Sequence, residues 1–291
     1  MRRPAVRKRP GQQGQKGNEA ALSRRLSGAL PLPSARSVAR VAEWLAGLKA
    51  KTAAKALKAL AREHPPLTRL LGGIAEASPY LWDLIKADAT GFLRLLGGDP
   101  DGALASFLAE ARSAATGARS RDEVMRVLRH MKAQAALLVA LADIGGVWPV
   151  AHVTDALTGL AEAALGITAG YLLGELVERK ILNPPDPSRP EAGSGYIVLA
   201  MGKMGGHELN FSSDIDLMVF FDPDAASLAC SIEPAPFYVR LTRDHVKLLQ
   251  ERTPDGYVFR VDLRLRPDPS STQIAISTDA ALDYYESRGQ N

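Results

Sequence analysis

Three aspartates have the type and spacing for chemistry: Asp214 and Asp216 in Ser-Asp-Ile-Asp-Leu at 213–217, and Asp262 in Arg-Val-Asp-Leu-Arg at 260–264. On a strand, side chains alternate between faces, so Asp214 and Asp216 share one face and Ile215, Leu217 and Val219 the other. Paired carboxylates repel and resist burial, so a positive charge belongs between them. The segment Tyr257–Arg266 alternates in the same way, with Arg260, Asp262, Arg264 and Arg266 on one face and Tyr257, Phe259, Val261, Leu263 and Leu265 on the other. If the two strands are neighbours, Asp262 joins Asp214 and Asp216 around divalent cations, with carboxylates about 4–6 Å apart. Hard oxygen donors suit Mg2+, which shares its shell with phosphate. Arg264 and Arg266 would hold that phosphate, in a site for phosphoryl or nucleotidyl transfer. The alternative is a solvated strand face with scattered ion pairs, whose carboxylates point apart.

Just upstream, an expected strand at 197–200 runs into Met201-Gly-Lys-Met-Gly-Gly206. Gly205 and Gly206 would let backbone amides approach a phosphate, and Lys203, Ser212 and Ser213 would add donors. Neither a Walker loop nor the dinucleotide glycine fingerprint is present. His207-Glu208 begins like a zinc-protease motif, but Phe211 stands where its second histidine would be, and the five histidines show no ligand spacing. No G-x-S-x-G esterase elbow occurs.

The elements that position these residues change in kind along the chain. Residues 1–36 form a basic tail expected to be disordered: the first forty residues hold ten Lys/Arg and one acid, leaving 26 basic and 31 acidic residues in the remainder. The folded body is therefore mildly acidic despite the formal charge of +4, which argues against a nucleic-acid partner. Residues 37–182 read as helical. One helix runs through Val38, Val41, Leu45, Leu57 and Leu60 to Pro65-Pro66, a second runs from Ser78-Pro79 to Gly97-Gly98, a third starts near Arg121, and a fourth covers 157–182. In the third, Val124, Leu128, Met131, Ala135, Leu138 and Ala142 form the inner stripe, with Arg126, Arg129 and Lys132 off it. A Pro/Gly connector at 183–195 marks the boundary to a strand-rich part, 196–291, which carries one helix at about 236–252. The chain's single cysteine, Cys230, excludes an intrachain disulfide and a thiolate cluster and fits a reducing compartment. The most apolar run, 133–142, is too short to cross a membrane, and no membrane partner is expected.

Strand, Gly-Gly turn, D-x-D strand and later lone acid resemble the polymerase-β-type nucleotidyltransferases. The fuller strings AMGKMGGHELNFSSDIDLMVFF at 200–221 and YVFRVDLRLRP at 257–267 resemble the bacterial glutamine synthetase adenylyltransferase/adenylyl-removing family. SPYLWDLI and LRHMK are similar to its helical region, so the resemblance covers roughly residues 70–291. It implies an α+β fold, a helical bundle followed by a polymerase-β-type α/β domain, in a cytoplasmic enzyme. Asp214, Asp216 and Asp262 would be Mg2+ ligands, and Gly205, Gly206 and Ser213 phosphate contacts. The wording ELNFSSDIDL is similar to the half that removes AMP from glutamine synthetase by phosphorolysis, taking up inorganic phosphate and releasing ADP. ATP-dependent adenylylation of the synthetase and a non-catalytic truncated remnant are the alternatives. A PII-type signalling protein is a further partner implied by the family. Family members continue beyond residue 291, so the expected nucleotidyltransferase domain would be incomplete.

Overall fold

The computed structural model describes residues 20–27, 32–224 and 227–288. The expected disorder of residues 1–36 falls partly outside them. For 20–27 it is overturned: Leu22–Arg25 form a short helix, α1, with Leu22 and Leu26 buried and the Leu22 N–H donated to the Gly98 carbonyl at 2.9 Å. Leu22 and Leu26 are four apart, one helical turn, a signal hidden among the flanking glycines and arginines.

The helical region contains more and shorter helices than expected. The first expected helix is two, α2 (Ala35–Gly47) and α3 (Lys51–Glu63), and Pro65-Pro66 both stops α3 and opens α4 (Pro65–Ala77). Proline at N1 or N2 lacks only an N–H that the first turn leaves unused. The expected helix at 79–97 is likewise α5 (Pro79–Ala87) and α6 (Ala89–Gly97). Asp88 separates them and caps α6, its carboxylate accepting the Gly91 N–H at 2.7 Å. Then follow α7 (Pro100–Thr116), α8 (Arg121–Ile144) and α9 (Val150–Glu178). Among the described residues helix α9, not 133–142, is the one long and apolar enough to cross a membrane by composition; two-thirds of its most apolar window is buried in the protein.

The strand-rich part contains β1 (Tyr196–Met201), a helical turn α10 (Gly202–Gly205), β2 (Ile215–Phe221), α11 (Pro234–Gln250), β3 (Val261–Asp262), β4 (Ile276–Ser277) and α12 (Thr278–Ser287). With the helices, this small sheet makes the chain α+β. Strand β2 is central: β1 pairs with it antiparallel, while β3 and β4 pair with it parallel, β3 at its start and β4 at its end. The expected strand at 257–266 is cut to two paired residues, because the chain turns away after Asp262. Val219 and Phe221 of β2 pack against α11 through Tyr238, Val239, Leu241 and Leu248. Met218 and Phe220, on the opposite face, pack against Ile276 and Ala281.

By packing, described residues up to Phe107 with Ala133–Val153 form one compact unit, and Leu108–Lys132 with Thr154 onward form another. This division does not follow the boundary expected at 183–195. In the second unit the connector is held down: Asn183 N–H donates to Ser227 O at 2.8 Å, and the Tyr238 hydroxyl donates to the buried Ser194 carbonyl at 2.5 Å. The expected inner stripe of α8 is buried throughout, but Arg129, placed off it, is only 1% exposed. Its guanidinium donates to the carbonyls of Met125 (3.0 Å), Leu248 (3.1 Å), Gly256 (2.9 Å) and Glu251. Arg129 lies inside despite its helix face because three carbonyls, at the end of α11 and in the turn beyond, and that of Met125 on its own helix satisfy the charge there.

Candidate active site

Strand pairing brings two of the three aspartates together. Asp216 of β2 stands in register with Asp262 of β3 on one side and with Met201 of β1 on the other. Asp214, two residues earlier, is exposed. Partial burial raises the pKa of Asp216 first, and repulsion from Asp214 and Asp262 raises it further; Arg264 and Lys203 pull the other way. The three carboxylates and two cations therefore share one electrostatic site.

They do not form the tight triad expected: among the described residues no three such side chains stand close enough to hold one metal ion as placed. The physical reason is Arg264. Because the chain turns after Asp262, Arg264 folds back and donates from Nε to both Asp262 oxygens (2.9 and 2.8 Å) and from Nη2 to one of them. Its backbone N–H adds a bond of 2.9 Å. These bonds hold the Asp262 carboxyl below the usual carboxylate range. The Asp262 side chain is 15% exposed and that of Arg264 82%, so the arginine covers the acid from outside. Three aspartate carboxylates remain a hard-oxygen donor set that fits a divalent cation, with the guanidinium now supplying the positive charge.

The neighbouring loops differ from expectation in detail. Gly202, not singled out from the sequence, is the glycine nearest the acids. Its φ is +54°, and a Cβ there would lie 2.5 Å from Asp216 Oδ2. The available signal was its position, the first residue after an expected strand. Gly205 is required for packing, since a Cβ would meet the Ala200 carbonyl at 2.5 Å. The Gly206 N–H is already donated to Gly202 O at 3.1 Å, and those of His207 and Glu208 to Met204 and Lys203 carbonyls. The helical turn thus uses the Gly206 amide, which was expected to face phosphate. Ser213 donates its hydroxyl to Asn210, and left-handed Ser212 (φ 59°) offers its carbonyl to Arg260 Nη2 at 3.0 Å. Lys203 is exposed beside Asp216. Arg266, expected beside the acids, instead donates to Leu263, Pro269 and Thr272 carbonyls and closes the loop after β3. Left-handed His207 (φ 56°) lies with Nδ1 3.0 Å from Asp155 of α9, tying the glycine turn to that helix.

Residues 68–291 match the family model for glutamate-ammonia ligase adenylyltransferase. Three curated bacterial proteins, each named bifunctional glutamine synthetase adenylyltransferase/adenylyl-removing enzyme, illustrate the similarity. The one from Bradyrhizobium diazoefficiens is 59% identical over 251 residues, covering 86% of this chain and 25% of that protein. The one from Rhodopseudomonas palustris is 55% identical over the same shares. The one from Xanthobacter autotrophicus is 52% identical over 80% of this chain and 24% of its own. The chain thus spans about a quarter of the length of these relatives. With the matched segment running through the glycine turn and all three aspartates, this chain belongs to the glutamate-ammonia ligase adenylyltransferase family.

Proposed function

We propose that the Asp214–Asp216–Asp262 site carries out metal-dependent nucleotidyl transfer on glutamine synthetase, in the direction that removes AMP from its adenylylated tyrosine. The observation that carries this reading is the cross-strand register of Asp216 with Asp262, with the Asp216 proton affinity raised by burial and by its acidic neighbours. Carboxylates whose charges act on one another in this way suit a site built for cations. Asp214, Asp216 and Asp262 would hold Mg2+, which when bound supplies Lewis-acid stabilisation of charge on the bridging oxygens. An oxygen of inorganic phosphate attacks the phosphorus of the tyrosyl–AMP ester. The bond from phosphorus to the tyrosine oxygen breaks, that oxygen gains a proton, and ADP leaves. Lys203 supplies positive charge beside Asp216. Arg264, once released from Asp262, would turn its exposed guanidinium to phosphate. On this reading the site works in the cytoplasm on the synthetase, with a PII-type signalling protein as a further partner.

The opposite direction, ATP-dependent adenylylation, has its own support: the names of the relatives carry both activities. One experiment separates the two. The chain is incubated with adenylylated synthetase and labelled phosphate, and separately with unmodified synthetase and labelled ATP. Label in ADP is expected from the first mixture; label on protein from the second alone would reverse the assignment.

A further inference from the structure

Helix α11 has a basic side that the acid cluster does not use. Arg240, Arg243 and Lys247 are exposed at spacings of three and four, while Asp244 is taken up by Arg121 at 2.9 Å. Arg243 and Lys247, together with Arg260, border an open cavity of about 470 Å³ beside α11. Val246, Leu263 and Ile274 give it an apolar wall. This size lies within the range of small-molecule sites, roughly 300–1,000 Å³. Helix α11 packs on the β2 face that carries Val219 and Phe221, and Leu263 and Ile274 join that packing. Asp216 points to the other face by strand alternation. The cavity thus opens on the α11 side of the sheet, and Arg260, bonded to the Ser212 carbonyl, is where it borders the loop that leads to Asp214.

Its charge is unbalanced. Glu251 is the acid in the lining, and it lies 3.5 Å from Lys247 Nζ, which it offsets. Arg260 gives one bond, from Nη2 to the Ser212 carbonyl, and has no carboxylate partner among the described residues. Arg243 has no hydrogen bond or ion pair among them. Two guanidinium groups with open donors thus face an apolar-walled space, and planar guanidinium forks match carboxylate and phosphate oxygens.

We propose that this cavity is a binding site for a small organic anion bearing two or more negative charges, held by Arg243 and Arg260 with its body against Val246, Leu263 and Ile274. Carboxylate and phosphate share this chemistry, so two probes are used: citrate and AMP, each titrated calorimetrically into the chain at fixed ionic strength with EDTA present. At least one is expected to bind one-to-one, and which one identifies the anionic group. Arg243→Gln should weaken that binding roughly ten- to a hundredfold, the loss of one charge-assisted hydrogen-bonding group. Asp216→Asn should leave it unchanged. Arg243 is exposed and bonds none of the described residues, so its variant should keep the wild-type melting temperature; Arg260→Gln repeats the test from the other side of the cavity. Absence of saturable binding by either probe up to roughly 10 mM would overturn the proposal. So would binding indifferent to both arginine variants, or binding lost in Asp216→Asn.

Discussion

Asp216 is crowded from two directions, by acids in front and by the backbone of Gly202 behind. The left-handed φ of Gly202 and the 2.5 Å approach of a notional Cβ to the carboxylate leave no room for a side chain. Gly202→Ala is therefore expected to cost about 1–2 kcal/mol from backbone strain alone and to displace the Asp216 carboxylate. A melting temperature lower by roughly 3–8 °C would register it, and an unchanged value would show that the turn relaxes freely. The aspartates themselves were legible in the sequence, since a strand needs only its period of two to put Asp214 and Asp216 on one face. Arg264 was not, because its direction depends on where the strand ends. Alternation carried past Asp262 would leave Arg264 beside Asp262 on a flat face, whereas the turn folds it onto the carboxylate.

Among elements, the turn from α11 into β3 is held by a side chain from α8. Arg129 satisfies three carbonyls at that junction and that of Met125 on its own helix, and burial lowers its pKa, the charged guanidinium being costly away from water. Arg129→Met removes all four partners together and is expected to destabilise by about 3–5 kcal/mol, the range for breaking a buried charged network from one side. The urea midpoint checks it: a shift worth less than about 1 kcal/mol would mean that water takes over the carbonyls. Sequence periodicity marked the apolar stripe of α8 correctly and misread Arg129, since period reports which residues face inward on average and not which polar group finds acceptors there. For the same reason α2 and α3, or α5 and α6, read as continuous helices: their apolar spacing carries across the breaks. Asp88 marks the second break by accepting the Gly91 N–H, whereas the first, before Lys51, has no side-chain cap.

At the scale of the whole molecule, one buried histidine links stability to pH. His245 on α11 lies in the core with Nδ1 3.2 Å from the Tyr196 hydroxyl, and burial pushes its pKa down to about 4. The folded state holds it neutral, while the unfolded chain takes up a proton near pH 6.5. Stability is therefore complete above about pH 6.5 and is lost as pH falls toward 4, by on the order of 3 kcal/mol if this group alone is counted. His245→Gln should flatten that slope in urea unfolding between pH 4 and 7, and an unchanged slope would assign the acid sensitivity to other groups. The division into compact units was the least legible level: the Pro/Gly connector marks a change of composition, yet Asn183 and Ser194 hydrogen-bond into the second unit, and contacts of this range leave no local pattern. Whether the aspartates serve a metal-dependent transfer is read from ADP release from adenylylated glutamine synthetase with phosphate, measured against magnesium concentration for the wild-type chain and Asp216→Asn. Magnesium-dependent release by the wild type is expected, with a loss of roughly 10²–10⁴ in the variant, the scale of removing one preorganised electrostatic group. Equal release by both proteins, with or without magnesium, would contradict a metal-dependent transfer.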